Sequence, residues 1–348
     1  MLLAVVPVRA QLNWVKDGAW VQNGSDTTGS EGHLPAGATS TKGDYGQAFG
    51  SCVIKDGSTY RMWYTGYYPW PDYRYRIFYA SSSNGIDWVK RNNNSPPASD
   101  SVSTDGRIPL GSSGKGDSYY VEYPCVIKDG STYKMWYSGY DGSYWRIYHA
   151  TSPDGLRWTK YDNTTPPVSD IVSTGGRIPL GNSGRGDSYY AMYPSVIKDG
   201  SAYKMWYMGY NNANWRIFYA TSPDGLTWTK DAGNPIFHIS DDAPHRKTRT
   251  YTPSAINDNS GVLKMYYSAV RSADDYAIGL AVLDLRIEVD IDIKPGGYPN
   301  SINLKSKGVV AVAVLTTVDF DASSVDPTTV KFAGADPVRW TMEDVDGD

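Results

Sequence analysis

Cysteine is nearly absent from this chain: Cys52 and Cys125 are the only two in 348 residues, and with four histidines no zinc-binding spacing and no Ser-His-Asp arrangement is visible. Basic runs are absent too. The formal net charge of −4 is mild and spread out, so the cationic patch that neutralises a phosphate backbone is missing and nucleic acid is discounted as a partner. No apolar run is long enough to span a bilayer. Lys, Glu and Leu are modest in number, which argues against long helices. What is abundant is Tyr (29), Trp (12) and Gly (35), with many Ser, Asn and Asp residues, a composition that favours twisted sheets joined by turns.

The first ten residues, MLLAVVPVRA, form a short apolar run ending in Val8-Arg9-Ala10. The run resembles the apolar region and small-residue site of a secretory signal whose basic start is lost; an ordinary first strand is the other reading. Residues 1–10 are therefore set apart from a main domain over 11–286 and a C-terminal module over 287–348, and the expected location is secreted or cell-surface.

Self-similarity organises the main domain. Cys52-Val53-Ile54-Lys55-Asp56-Gly57 recurs as Cys125-Val126-Ile127-Lys128-Asp129-Gly130 and Ser195-Val196-Ile197-Lys198-Asp199-Gly200, at spacings of 73 and 70 residues. A diverged fourth copy begins at Pro253-Ser254-Ala255-Ile256. The two cysteines thus occupy one repeat position that later holds Ser195 and Ser254, which reads as a small buried residue; equivalent positions on neighbouring repeats usually lie too far apart for a disulfide.

Each repeat contains an apolar run, a Lys-Asp-Gly turn, then an alternating stretch such as Tyr133-Lys134-Met135-Trp136-Tyr137, whose period of two marks a half-buried strand. A third strand, Trp145 to Ala150, follows an aromatic loop, and the turn Ser152-Pro153-Asp154-Gly155 leads to an edge strand, Leu156 to Lys160. Four antiparallel strands per repeat make a blade, so the fold class is all-β, a β-propeller of four recognisable four-stranded blades, or five if one has diverged beyond recognition. Leu12-Asn13-Trp14-Val15-Lys16 matches the edge strand that the fourth repeat lacks, so the N-terminal strand is expected to close the last blade.

In a propeller the loops between strands two and three share a face with the channel mouth, where ligands collect. Here those loops hold Trp70 and Tyr73, Tyr140 and Trp145, and Tyr210 and Trp215, and each runs into an arginine: Arg76, Arg146 or Arg216. Flat aromatic faces stack on sugar rings and guanidinium groups bond hydroxyls or carboxylates, so carbohydrate is the expected partner and these nine residues are the candidate substrate-binding set. Three arginines around one axis suit an anionic sugar; salt bridges between blades are the alternative use. Candidate catalytic carboxylates are Glu122, Asp44, Asp117 and Asp187. The three aspartates recur in equivalent loops, which points to architecture, since catalysis needs groups of different pKa. Glu122 is singular: its counterparts are Phe49, Met192 and Tyr251.

The Ile-Lys-Asp-Gly, Met-Trp-Tyr-Ser-Gly and Ser-Pro-Asp-Gly-Leu-x-Trp signatures, spread over roughly residues 12 to 283, resemble the propeller glycosidase superfamily that includes arabinanases, β-xylosidases, invertases and levansucrases. The last signature also resembles a shortened sialidase Asp-box, a structural turn far from the site. The resemblance implies five blades and catalytic carboxylates at the starts of inner strands, often as Asp-Pro or Glu-Cys-Pro. This chain departs from that pattern, with Tyr123 before Pro124, Tyr193 before Pro194 and Thr252 before Pro253. Glu122 alone lies near the implied place, and Asp44, Asp117, Asp187, Asp241 or Asp242 is its potential partner. His149, His238 and His245 receive no role.

From about Glu288 the chain resembles a module of extracellular prokaryotic proteins, with Ile291-Asp292-Ile293-Lys294-Pro295-Gly296-Gly297 as its signature and a buried strand at Ala311 to Leu315. Its end, Glu343-Asp344-Val345-Asp346-Gly347-Asp348, resembles a calcium loop with Asp344, Asp346 and Asp348 as ligands; a solvated acidic tail fits equally, and the chain stops within the motif. No cofactor is required by this reading, with Ca2+ the one candidate. Two functions are consistent with the sequence: a secreted glycoside hydrolase-like propeller acting on or binding a poly- or oligosaccharide at the channel mouth, and a non-catalytic carbohydrate-binding or cell-surface structural propeller with repeated sites.

Overall fold

The computed structural model describes residues 28–29, 36, 42, 44, 46–68, 73–91, 102–103, 105–161, 172–173, 175–182, 185–236, 249–257, 262–272, 275–284, 291–293, 312–315, 322–325 and 339. The chain divides into two compact segments, Met1–Leu283 and Asp284–Asp348. In the first, the opening repeat comprises β1 (Thr28–Gly29), β2 (Gln47–Asp56), β3 (Thr59–Tyr68), β4 (Arg74–Ser82) and β5 (Trp88–Lys90). The second holds β6 (Val102–Ser103), β7 (Tyr120–Asp129), β8 (Thr132–Tyr140), β9 (Trp145–Ser152) and β10 (Trp158–Lys160). The third holds β11 (Val172–Ser173), β12 (Tyr190–Asp199), β13 (Ala202–Tyr210), β14 (Trp215–Ser222) and β15 (Trp228–Lys230), and the fourth β16 (Arg249–Asn257), β17 (Val262–Ser272) and β18 (Asp275–Asp284). In the C-terminal segment β19 (Ile291–Ile293) pairs antiparallel with β20 (Val312–Val314), and a short 3-10 turn spans Ala322–Ser324.

The chain is all-β with several sheets; strands pair antiparallel within each repeat, and a parallel bridge of Tyr190 to Trp145 joins the second and third repeats into one sheet. Lys-Asp-Gly makes the first hairpin, with Gly130 at φ +59° in the left-handed region that glycine enters at no steric cost. The Asp-box-like sequence makes the turn into the outer strand. Ser152 Oγ accepts the N–H of Gly155 at 2.8 Å, Asp154 Oδ1 accepts those of Leu156 and Arg157 at 2.8 Å, and Trp158 Nε1 donates to Gly155 O at 3.1 Å. This turn docks the preceding repeat: Asp154 O accepts from Arg61 Nη1 at 2.9 Å, and Trp158 meets Trp63 edge-on at 5.8 Å. The third repeat copies the contact with Trp228 on Trp136. These tryptophans are buried and anchor the cores between repeats.

One element departs from the four-strand expectation. Each of the first three repeats gains a two-residue outermost strand, β1 on β5, β6 on β10 and β11 on β15, supplied by the connection that precedes the repeat. Beyond it the same connection wedges between repeats: Ile108 bridges Ile77, and Ile178 bridges Ile147. The innermost strands β2, β7, β12 and β16 contribute equivalent stretches to one central cavity of about 450 Å³. The proposed closing strand, Leu12 to Lys16, lies outside the described residues, as do Asp344, Asp346 and Asp348.

Candidate active site

The cavity mouth is shaped by a β-bulge that interrupts all four inner strands, between Phe49 and Cys52, Glu122 and Cys125, Met192 and Ser195, and Tyr251 and Ser254. A bulge bends its strand and re-aims the flanking side chains. The bulged residues Gly50, Tyr123, Tyr193 and Thr252 all have positive φ, between +49° and +58°, which strains every one except the glycine. A proline follows in three of the four, where the ladder needs no N–H. The bulge is pinned from the preceding repeat, since Tyr123 N donates to Thr65 Oγ1 at 2.9 Å and Tyr193 N to Ser138 Oγ at 2.8 Å. Below it the Cys52 and Cys125 thiols are free and accept the N–H of Val126 and Val196 at 3.1 Å. Ser195 does the same for Ala255 at 2.8 Å.

Glu122 stands one residue before its bulge, 5 % exposed. Burial alone pushes its carboxyl up to about 8, so it is mostly protonated at neutral pH. Tyrosines from three repeats surround it. Burial, and then the charge of Glu122, push the Tyr75, Tyr123 and Tyr193 hydroxyls upward. The Tyr123 and Tyr193 rings lie 3.9 Å apart between centroids, and Phe49 packs on both Tyr75 and Tyr123.

The recurring aspartates do something different. Asp117, fully buried, accepts from Lys160 Nζ at 2.7 Å and from Tyr137 OH at 2.9 Å. Asp44 has Lys90 and Tyr64 at the same distances, and Asp187 has Lys230 and Tyr207. Each cluster ties the connection before an inner strand to the outer strand of its own repeat. It also explains a glycine: a Cβ at Gly139 would sit 2.7 Å from both Asp117 Cβ and the Tyr148 ring.

Aromatic rings stack where the inner strands begin. Tyr120, Tyr140 and Trp145 stack in the second repeat, and Tyr190, Tyr210 and Trp215 in the third. The arginines do not converge on the axis as free guanidinium groups: Arg146 pairs with Asp141 of its own loop at 2.8 Å, and Arg216 Nη1 donates to Trp215 O at 2.6 Å. Arg76 is buried and Tyr73 is exposed. His149 is buried against Trp136, and burial depresses its imidazole to about 3, which marks a core residue. Among the described residues no group of three or more His, Cys, Asp or Glu side chains could hold a metal ion. Trp70, His238, His245, Asp241 and Asp242 lie outside the described residues.

Residues 72–291 match the model of glycoside hydrolase family 130, described as β-1,4-mannooligosaccharide phosphorylase. The chain belongs to that family. An uncharacterised protein of Mycobacterium tuberculosis strain H37Rv is 29 % identical over 266 residues, covering 72 % of this chain and 76 % of that protein. Among solved structures, a family 130 enzyme described as a glycoside hydrolase that targets β-1,2 mannosidic linkages in Candida mannan is 18 % identical, with TM-score 0.49 and coverage of 68 % and 67 %. An endo-arabinase from Bacteroides thetaiotaomicron is 16 % identical, with TM-score 0.47 and coverage of 70 % and 78 %.

Glu122 immediately precedes Tyr123, which lines the cavity. The fold brings Glu122 beside three tyrosines that sequence reasoning did not select: Tyr75, Tyr123 and Tyr193. Tyr123 and Tyr193 carried a signal, each being the residue before an inner-strand proline, whereas Tyr75 carried none.

Proposed function

We propose that this family 130 member cleaves a β-linked, mannose-containing oligosaccharide at the cavity mouth, with the Glu122 carboxyl as proton donor. The observation that carries this reading is that Glu122 is the one carboxyl among four equivalent positions, and that burial holds it protonated at neutral pH. Breaking a glycosidic bond requires a proton for the leaving oxygen and a nucleophile for the anomeric carbon. Hydrolysis calls on a second carboxylate to activate water or attack directly. Asp44, Asp117 and Asp187 are each engaged by a lysine and a tyrosine, which fits a structural role.

Phosphorolysis needs only the acid. A phosphate oxygen bonds to the anomeric carbon as the glycosidic C–O bond breaks, the Glu122 proton passes to the departing hydroxyl, and the resulting carboxylate is reprotonated from solvent. We favour this reaction, in line with the family's description. The test is incubation with β-mannooligosaccharides with and without phosphate. A phosphate-dependent sugar 1-phosphate, lost in Glu122→Gln, supports the proposal; no product under either condition, or unchanged turnover in the variant, sinks it.

The near-repetition of the rim stacks favours a second reading, a non-catalytic glycan binder, which predicts glycan retention without release. Export of the protein is part of the same proposal. Processing after Ala10, read by N-terminal sequencing of the mature protein, checks the export.

A further inference from the structure

The aromatic rim is longer than one sugar ring requires. It starts beside Glu122 in the first repeat, where Tyr67 and Tyr75 pair at 4.7 Å between centroids. Tyr75 meets Tyr120 of the second repeat at 4.8 Å. Tyr120, Tyr140 and Trp145 continue at 5.6 and 4.8 Å, with interplanar angles of 14° and 23°. Tyr144 reaches Tyr189 of the third repeat at 5.5 Å, and Tyr190, Tyr210 and Trp215 repeat the stack at 5.4 and 4.0 Å. The series stops at the fourth repeat, where the equivalent pair is Arg249 and Val270.

We infer that this arc is a run of subsites for an extended, neutral, β-linked polysaccharide, so that the protein selects a polymer over a short oligosaccharide. The inference rests on the reading of the Glu122 mouth as a glycan site, and deepens it. Rings held by their neighbours lose little freedom when a ligand arrives, which makes a pre-organised platform. Tyr119 and Tyr144 are the most open, each 38 % exposed. Neutrality follows from how the nearby cations are used. Arg146 is bonded to Asp141, and Arg74 lies 3.6 Å over the Tyr119 ring with Nη1 donating to Tyr119 O at 3.2 Å. A β-1,4-linked chain is extended and flat enough to follow such an arc from the acid outward across the second and third repeats.

The experiment titrates Glu122→Gln protein, which binds without turnover, with β-mannooligosaccharides from disaccharide to octasaccharide. Affinity is expected to climb with length, by about fivefold for each ring contact added. Tyr119→Ala and Tyr144→Ala, both at exposed positions, are expected to flatten the climb, lowering octasaccharide affinity more than disaccharide affinity. Affinity independent of length, or a climb untouched by both variants, overturns the inference. Turnover with flat affinity leaves the cleavage reading standing without the platform, whereas a length-dependent climb in a protein that turns nothing over keeps the platform and removes the cleavage reading.

Discussion

Side by side, the second and third repeats share almost everything. Asp117 with Lys160 and Tyr137 matches Asp187 with Lys230 and Tyr207 distance for distance, and the Tyr–Tyr–Trp rim stacks correspond ring for ring. They part at the inner strand. Glu122 faces Ser138 across the ladder in one, and Met192 faces Met208 in the other. The contrast teaches that the scaffold is symmetric and that Glu122 is a local breach of that symmetry. It also separates two kinds of buried carboxyl: one neutralised by a lysine and common to the repeats, the other left to stay protonated and unique.

The strongest way to break this comparison is to move the acid. Glu122→Gln should lower kcat/KM by about 10²–10⁴-fold, the usual worth of a positioned proton donor, measured on the best β-mannoside. Transplanting the group, Glu122→Met with Met192→Glu, should restore nothing. Met208 replaces the Ser138 hydroxyl there, and Trp145 stands where Tyr75 stood. Recovered turnover would mean that the repeats are chemically interchangeable after all.

Next in size is the shared cluster. Lys160→Met and Lys230→Met each leave a buried aspartate without its cation, which costs about 3–5 kcal/mol, read as a fall in urea midpoint. Equal losses in the two variants support an architectural role; a catalytic collapse without destabilisation in Lys160→Met alone would hand Asp117 the function denied to it here.

A smaller effect concerns pH. The Glu122 carboxyl is raised to about 8 in the folded chain from an ordinary 4.5, so folding favours its neutral form. Its contribution is therefore intact below about pH 4.5 and is lost as pH rises through 8. Glu122→Gln should stabilise the protein by on the order of 2–3 kcal/mol at pH 7, and by nothing near pH 4. Thermal melts of both proteins across that range check it. If Glu122 is the proton donor as proposed, the same shift predicts that activity declines above about pH 8.

Much of this was legible in the chain itself. The repeat and its turns follow from local patterns, and Glu122 stood out because three aligned copies carry no acid at its position. What was hidden depends on contacts made far along the chain or between repeats. The two-residue strands β6 and β11 carry no periodic signal and exist only because β10 and β15 offer an edge. The lysine that holds Asp117 arrives 43 residues later, so recurrence pointed to an architectural Asp but could not name its partner. Tyr75 and Tyr193 reach Glu122 from opposite neighbours, a convergence set by ring geometry.

The smallest effect sharpens the comparison most directly. Ser138 Oγ accepts the N–H of Tyr193, whose backbone is held at φ +58°, whereas Met208 in the third repeat has no hydroxyl to offer Thr252. Ser138→Ala should cost about 1 kcal/mol, the net value of one such hydrogen bond. Its more telling consequence is local. A loosened Tyr193 admits water to Glu122, so the carboxyl should fall from about 8 toward its ordinary value and the basic limb of the pH–rate profile should move to lower pH. Loss of stability with an unmoved profile would show that the bulge braces the strand without tuning the acid.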